Sequence, residues 1–106
     1  MGYQTDYAAA EPARSAVEAL PGVVVLEFGA PWCGHCMAAQ PALAALLEPK
    51  PGIHHLKIED GRGKPLGRSF TVKLWPTVVV LRDGVEAARV VRPRTAADLE
   101  QLEAVL

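Results

Sequence analysis

The stretch Val23-Val24-Val25-Leu26-Glu27-Phe28-Gly29-Ala30-Pro31-Trp32-Cys33-Gly34-His35-Cys36 decides the reading of this chain. Its first six residues form a β-branched, nearly continuous apolar run, the pattern of a strand covered on both faces in an α/β sheet. Cys33 and Cys36, the only cysteines in the sequence, follow at the junction with a helix that starts at or just before Cys36. A bridge between residues so close cannot staple distant parts of a fold, so the pair points to reactivity rather than stability.

On the N-terminal side, Ala13, Ala16, Val17 and Leu20 recur at helical spacing after Pro12, and Pro21-Gly22 stops the pattern. On the C-terminal side, Leu43, Leu46 and Leu47 continue a helical stripe with Pro41 as a kink inside it. Leu56 and Ile58 alternate with Lys57 and Glu59 as a strand, Gly61 to Gly67 reads as a loop, and Ser69, Phe70 and Val72 suggest one helical turn. Thr77 to Leu81 is a second buried-type strand, joined through Asp83-Gly84 to a hairpin partner over Ala87 to Val91. Thr95 as N-cap, with Asp98 three residues on, opens a last helix whose apolar face is Leu99, Leu102 and Leu106.

The 106 residues suit one domain over 1–106, and half of them are hydrophobic, enough for a core. Eleven basic against twelve acidic residues leave a formal charge of −1, without the basic excess that nucleic-acid binding draws on. The apolar runs are far shorter than the roughly 20 residues that span a bilayer, so no membrane partner is expected. Met1 to Tyr7 lacks the charged and apolar regions of a secretory signal, which predicts a cytoplasmic protein.

A thiol attacks as thiolate, and unpaired N–H groups at a helix N-terminus favour that charge. Cys33 therefore reads as the nucleophile, and Cys36 as the thiol that resolves the mixed disulfide and leaves a Cys33/Cys36 disulfide. His35, between them, has a tuning role, since an imidazolium there stabilises thiolate. A metal site needs about four ligands, and beyond the cysteines only His35, His54 and His55 offer themselves. Adjacent residues of a strand face opposite ways, so His54 and His55 read as surface histidines and no metal is expected. Glu27 has two readings: a residue marking the strand's exit to solvent, or a buried acid beneath the cysteines that accepts the Cys36 proton. The second is favoured because burying a carboxylate without purpose is costly.

Phe28 to Cys36 resembles the active-site stretch of the thioredoxin family, in the Cys-Gly-His-Cys version typical of disulfide-isomerase domains. Trp75-Pro76-Thr77 resembles that family's cis-proline loop, and Pro41 its helix kink, so the likeness spans roughly residues 11 to 106. The resemblance implies a thioredoxin fold, an α/β architecture with a mixed sheet of four or five strands flanked by helices. It implies that Trp75-Pro76 is cis, that Trp32, Gly34, Trp75 and Pro76 line the substrate-docking surface, and that Lys57 partners Glu27. Arg94 is similar to an arginine that in disulfide isomerases swings towards the resolving cysteine, and is assigned a tuning role; as a bare sequence feature it is equally a surface charge.

Three departures stand out. No clear first strand precedes residue 11, leaving Met1 to Ala10 loosely attached; Gly29 replaces an aromatic, opening space beside the cysteines; and Arg92-Pro93 replaces a glycine-containing loop. The expected function is thiol/disulfide exchange, reducing disulfide-bearing proteins as a monomer. No glycine motif for a nucleotide or flavin is present, so no cofactor is expected and the electron donor is a separate reductase or a small thiol. The alternatives are an exported isomerase or oxidase, favoured by His35, and a non-catalytic binding module or metal carrier.

Overall fold

Strand β1, Val23–Gly29, lies at the centre of the sheet because its side chains alternate between two apolar layers rather than between core and water. In this computed structural model, which describes residues 2–106, the chain runs α1 (Arg14–Glu18), β1, α2 (Gly34–Leu47), β2 (His54–Glu59), α3 (Pro65–Ser69), β3 (Thr77–Arg82) and β4 (Val85–Val91). A 3-10 turn, Ala97–Leu99, and the short α4, Glu100–Glu103, complete it. Among the described residues the sheet has four strands in the order β2-β1-β3-β4. Strands β1 and β2 are parallel with Glu27 opposite Lys57, whereas β3 runs antiparallel to both β1 and β4.

Val24, Leu26 and Phe28 point to one layer, against Val17 of α1 and Leu66 of α3. Val25 points to the other, against Ala39, Leu43 and Leu47 of α2 and Leu102 of α4. Phe28, Leu26, Leu43 and Leu47 are fully buried, each contributing about 1.5–3 kcal/mol relative to exposure. The β3–β4 hairpin turns through Asp83 and Gly84, both at positive φ (50° and 84°), the backbone of a two-residue turn. Gly84 is also required by packing, since a Cβ there would collide with the Glu18 carbonyl.

Several elements differ from expectation. Helix α2 starts at Gly34, with Cys33 as its N-cap, slightly ahead of Cys36. Gly61 to Gly67 is not loop throughout: Pro65 begins α3, where a proline's missing N–H is unneeded. Thr95 and Asp98 do exchange capping bonds, Thr95 N donating to the Asp98 carboxylate at 3.1 Å, but the helix that follows is split. The N-terminal residues, expected to be loosely attached, run alongside β2 without forming a strand; Met1 lies outside the described residues. Gly2 N donates to Ile53 O and Ala8 N to Lys57 O, both at 2.8 Å.

Candidate active site

β1 ends at Gly29, a tight turn in which Cys33 N donates to Ala30 O (3.1 Å) follows, and α2 begins. The turn places Cys33 at the helix N-terminus, where the Cys36 amide donates to Cys33 Sγ at 3.3 Å. An N–H aimed at sulfur favours negative charge there. Both cysteines are free and buried, Cys33 at 8 % exposure and Cys36 at 2 %. Burial, then the hydrogen bond with Cys33, pushes the Cys36 thiol up to about 12, partly opposed by a backbone hydrogen bond at Ala30. Cys36 is thereby made a thiol that holds its proton at neutral pH.

Glu27 is fully buried and does not mark an exit to solvent. Its Oε1 meets His55 Nε2 at 2.9 Å and its Oε2 accepts from Gln40 Nε2 at 2.7 Å. His55 is itself wholly buried, which corrects its reading as a surface histidine. Its Nδ1 accepts from Gln4 N (2.8 Å), so a neutral ring carries its proton on Nε2 and donates to Glu27.

Lys57, expected to pair with Glu27, is buried but reaches it only through Gln40. Its Nζ donates to Gln40 Oε1 (3.0 Å) and Thr5 O (3.2 Å). Gln40 Oε1 also accepts from Tyr3 hydroxyl (2.7 Å), and Gln40 Nε2 also donates to Cys36 O (2.8 Å). All its hydrogen-bonding positions are thus occupied, and a flipped amide would set its NH2 against Lys57.

Across the mouth of the site the Trp75–Pro76 peptide is cis. Trp75 packs against Ala30, Cys33 and Cys36 and donates from Nε1 to Asp60 at 2.8 Å. Trp32, 74 % exposed, meets it edge-on at 5.6 Å between ring centroids. Gly34 and His35 are exposed on the first turn of α2 beside this groove. Arg94 is exposed, its amide donating to Asp98; the arginine that touches the cis-proline loop is Arg92, whose Nε donates to Trp75 O and whose amide donates to Pro76 O, both at 2.8 Å. Arg92 adopts φ 53°, a left-handed conformation that a glycine would adopt freely.

The family profile described as Thioredoxin matches residues 7–104. The chain belongs to the thioredoxin family. Thioredoxin-family proteins are protein-disulfide oxidoreductases, and the four-stranded mixed sheet flanked by helices is the thioredoxin fold. The reduced form of thioredoxin 2 from Pseudomonas aeruginosa PAO1 is 55 % identical and superposes with a TM-score of 0.84, covering 97 % of this chain and 96 % of that one. A thioredoxin H-type from Oryza sativa subsp. indica is 35 % identical over 68 % of this chain and 59 % of its own length. Protein disulfide-isomerase A3 from Gallus gallus is 38 % identical over 72 % of this chain, but only 15 % of its own length. The chain thus spans less than two thirds of these two curated relatives.

Sequence reasoning missed the roles of His55 and Gln40. One signal was available for His55: it precedes Lys57 by two residues on a strand, so both face the same side as Glu27 on the neighbouring parallel strand. Gln40 lies four residues after Cys36, one helical turn on, and so shares its face. Among the described residues no helix is long and apolar enough to cross a membrane, and no three His, Cys, Asp or Glu side chains assemble as a metal set.

Proposed function

We propose that this chain is a thiol/disulfide oxidoreductase that reduces disulfides in partner proteins through a Cys33/Cys36 cycle, working as a single-domain monomer in the cytosol. The observation that carries it is the asymmetry of the pair: the Cys36 amide points at Cys33 Sγ, while Cys36 is buried with its thiol raised to about 12. Cys33 attacks a substrate disulfide, forming a mixed disulfide and releasing one substrate thiol. Cys36 then loses its proton and attacks Cys33 Sγ, so the Cys33–Cys36 bond forms as the mixed disulfide breaks and the second substrate thiol leaves. Glu27, beneath the site, is the proton acceptor for Cys36; Gln40 and His55 hold it, and Lys57 acts on it through Gln40.

Trp32, Gly34, Trp75 and Pro76 form the surface on which an extended substrate segment docks. A separate reductase or small thiol returns the electrons. The test is reduction of insulin disulfides by dithiothreitol with catalytic amounts of the protein: the parent accelerates it, and Cys33→Ser abolishes the acceleration. An inert parent overturns the reading.

A second direction is supported by the Cys-Gly-His-Cys sequence, the version typical of disulfide-isomerase domains, with His35 stabilising thiolate and so favouring oxidation of partners. Reference potentials are about −270 mV for thioredoxin and about −180 mV for protein disulfide isomerase, a gap of roughly 4 kcal/mol for two electrons. Equilibration with glutathione distinguishes them: a potential near the lower value supports the reductant, and one near the higher value an oxidase or isomerase.

A further inference from the structure

Gly29 leaves an opening beside the resolving thiol, and the N-terminal segment fills it. A Cβ on Gly29 would collide with Cys36 Sγ and lie 3.3 Å from the Tyr7 hydroxyl, so sulfur and phenol converge over this one residue. Tyr7 is half-buried, with its hydroxyl and the Cys36 sulfur both within contact distance of the same point above Gly29. The segment is held in place here by Lys57: its Nζ donates to Thr5 O (3.2 Å) and sits 4.9 Å from the Tyr7 ring centroid, and its carbonyl accepts from Ala8 N (2.8 Å).

We propose that Tyr7 is a catalytic residue of the resolving step, its phenol O–H donating to Cys36 Sγ through the opening at Gly29. This deepens the oxidoreductase reading and rests on it. In the resolving step the Cys36 S–H proton passes to Glu27, the sulfur becomes thiolate and attacks Cys33 Sγ so that the Cys33–Cys36 bond forms as the mixed disulfide breaks, and the substrate thiolate departs. Tyr7 gives up no proton in that sequence. Burial first, then the charges of Cys36 and Glu27, raise its phenol far above its ordinary range, so it stays a neutral donor while the sulfur beside it becomes charged. A hydrogen bond from a neutral O–H to a thiolate strengthens as charge develops, which lowers the barrier rather than merely binding the resting thiol. The ionisable groups around the contact are Cys33 and Glu27, which disfavour further negative charge, and Lys57 against the ring, which favours it.

The experiment compares Tyr7→Phe with the parent in two assays. In the first, Cys33 is converted to its mixed disulfide with thionitrobenzoate, and release of the aromatic thiol by Cys36 is followed by stopped flow. Resolution slows about tenfold or more in Tyr7→Phe, the size expected for a lost hydrogen bond to a charged atom, while alkylation of Cys33 by iodoacetamide keeps its parent rate. In the second, Cys36 is alkylated at pH 9 in a Cys33→Ser background, which needs no turnover and so tests Tyr7 even if the oxidoreductase reading fails. If Tyr7 stabilises the thiolate, Tyr7→Phe lowers this rate several-fold; if Tyr7 only covers Cys36, opening the segment raises it. Unchanged resolution, or faster Cys36 alkylation, overturns the proposal. An active parent with unaffected Tyr7→Phe overturns only the tyrosine's role, whereas failure of the parent to reduce insulin overturns the oxidoreductase reading.

Discussion

Removing His55 exposes how the buried acid is held. The ring is fully buried, donates from Nε2 to Glu27 Oε1 at 2.9 Å and accepts from Gln4 N at 2.8 Å. In His55→Ala, the carboxylate loses a hydrogen bond worth about 1.5–3 kcal/mol, the Gln4 amide loses one worth about 1 kcal/mol, and a cavity replaces the ring. The sum is roughly 3–5 kcal/mol, comparable with removal of one partner from a buried pair. At about 4 °C per kcal/mol for a domain of this size, Tm falls by roughly 12–20 °C.

The same geometry fixes a sign that a generic core mutation does not share. Glu27→Leu alone strands the Nε2–H of His55, but in Glu27→Leu/His55→Leu both polar partners are gone and apolar side chains occupy the layer. The double variant is therefore more stable than the sum of the single losses implies, with a coupling of about 2 kcal/mol. Urea denaturation of parent, both singles and the double at pH 7 measures it. Singles costing under about 1 kcal/mol, or a coupling below about 0.5 kcal/mol, would refute the reasoning.

Other outcomes follow from the site. Glu27→Gln keeps the side-chain shape but removes the proton acceptor proposed for Cys36, so thionitrobenzoate release by Cys36 slows about 10²-fold at pH 7 while Cys33 alkylation is unchanged; a release rate equal to the parent's would remove Glu27 from the mechanism. The raised Cys36 thiol makes the folded state bind more protons than the unfolded chain above about pH 8.5, so stability is fully present below that pH and declines towards pH 12, by about 1.4 kcal/mol per unit at most; Cys36→Ser flattens the decline in urea titrations against pH. Gly29→Ala drives a methyl into Cys36 Sγ and destabilises by about 1–3 kcal/mol, read as a drop in the urea midpoint. Arg92→Gly relieves a left-handed residue and uncovers the Trp75 carbonyl; reduction of a peptide disulfide speeds up about two- to fivefold, and an unchanged kcat/KM would show that this arginine does not occupy the docking edge.

What was legible in the sequence was what local pattern determines. Val23 to Phe28 had to be a two-sided strand because no polar face was available to it, and a pair of cysteines at its exit into a helix could have only one polarity, with Cys33 facing the amides. The hairpin at Asp83-Gly84 and the cap at Thr95 were set by backbone rules of the same short range. What a local reading could not supply is what one element brings to another. Pro65 reads as a breaker among glycines, yet the same residue starts α3 once Leu66 has a core to enter. Arg94 and Arg92 are two residues apart in a loop, and only the loop's path against Trp75 separates the one that touches the site from the one that caps a turn.

The polar cluster shows why such contacts escape a linear reading. Glu27, His55, Gln40 and Lys57 come from β1, β2 and α2, and each alone has an ordinary explanation as a solvated residue. The parallel register that sets Glu27 opposite Lys57 places His55 one step back on the same face, and α2 lowers Gln40 between them. An amide in that position accepts from the lysine and donates to the carboxylate, so cation and anion are coupled without touching. Removing Gln40 should therefore disturb both at once: Gln40→Leu leaves Lys57 with Thr5 O as its remaining side-chain bond partner and Glu27 with His55 alone. If the amide is the link, Gln40→Leu slows Cys36 resolution as Glu27→Gln does, and adding Glu27→Gln to it slows resolution little further. Fully multiplicative losses would mean that Gln40 and Glu27 act independently.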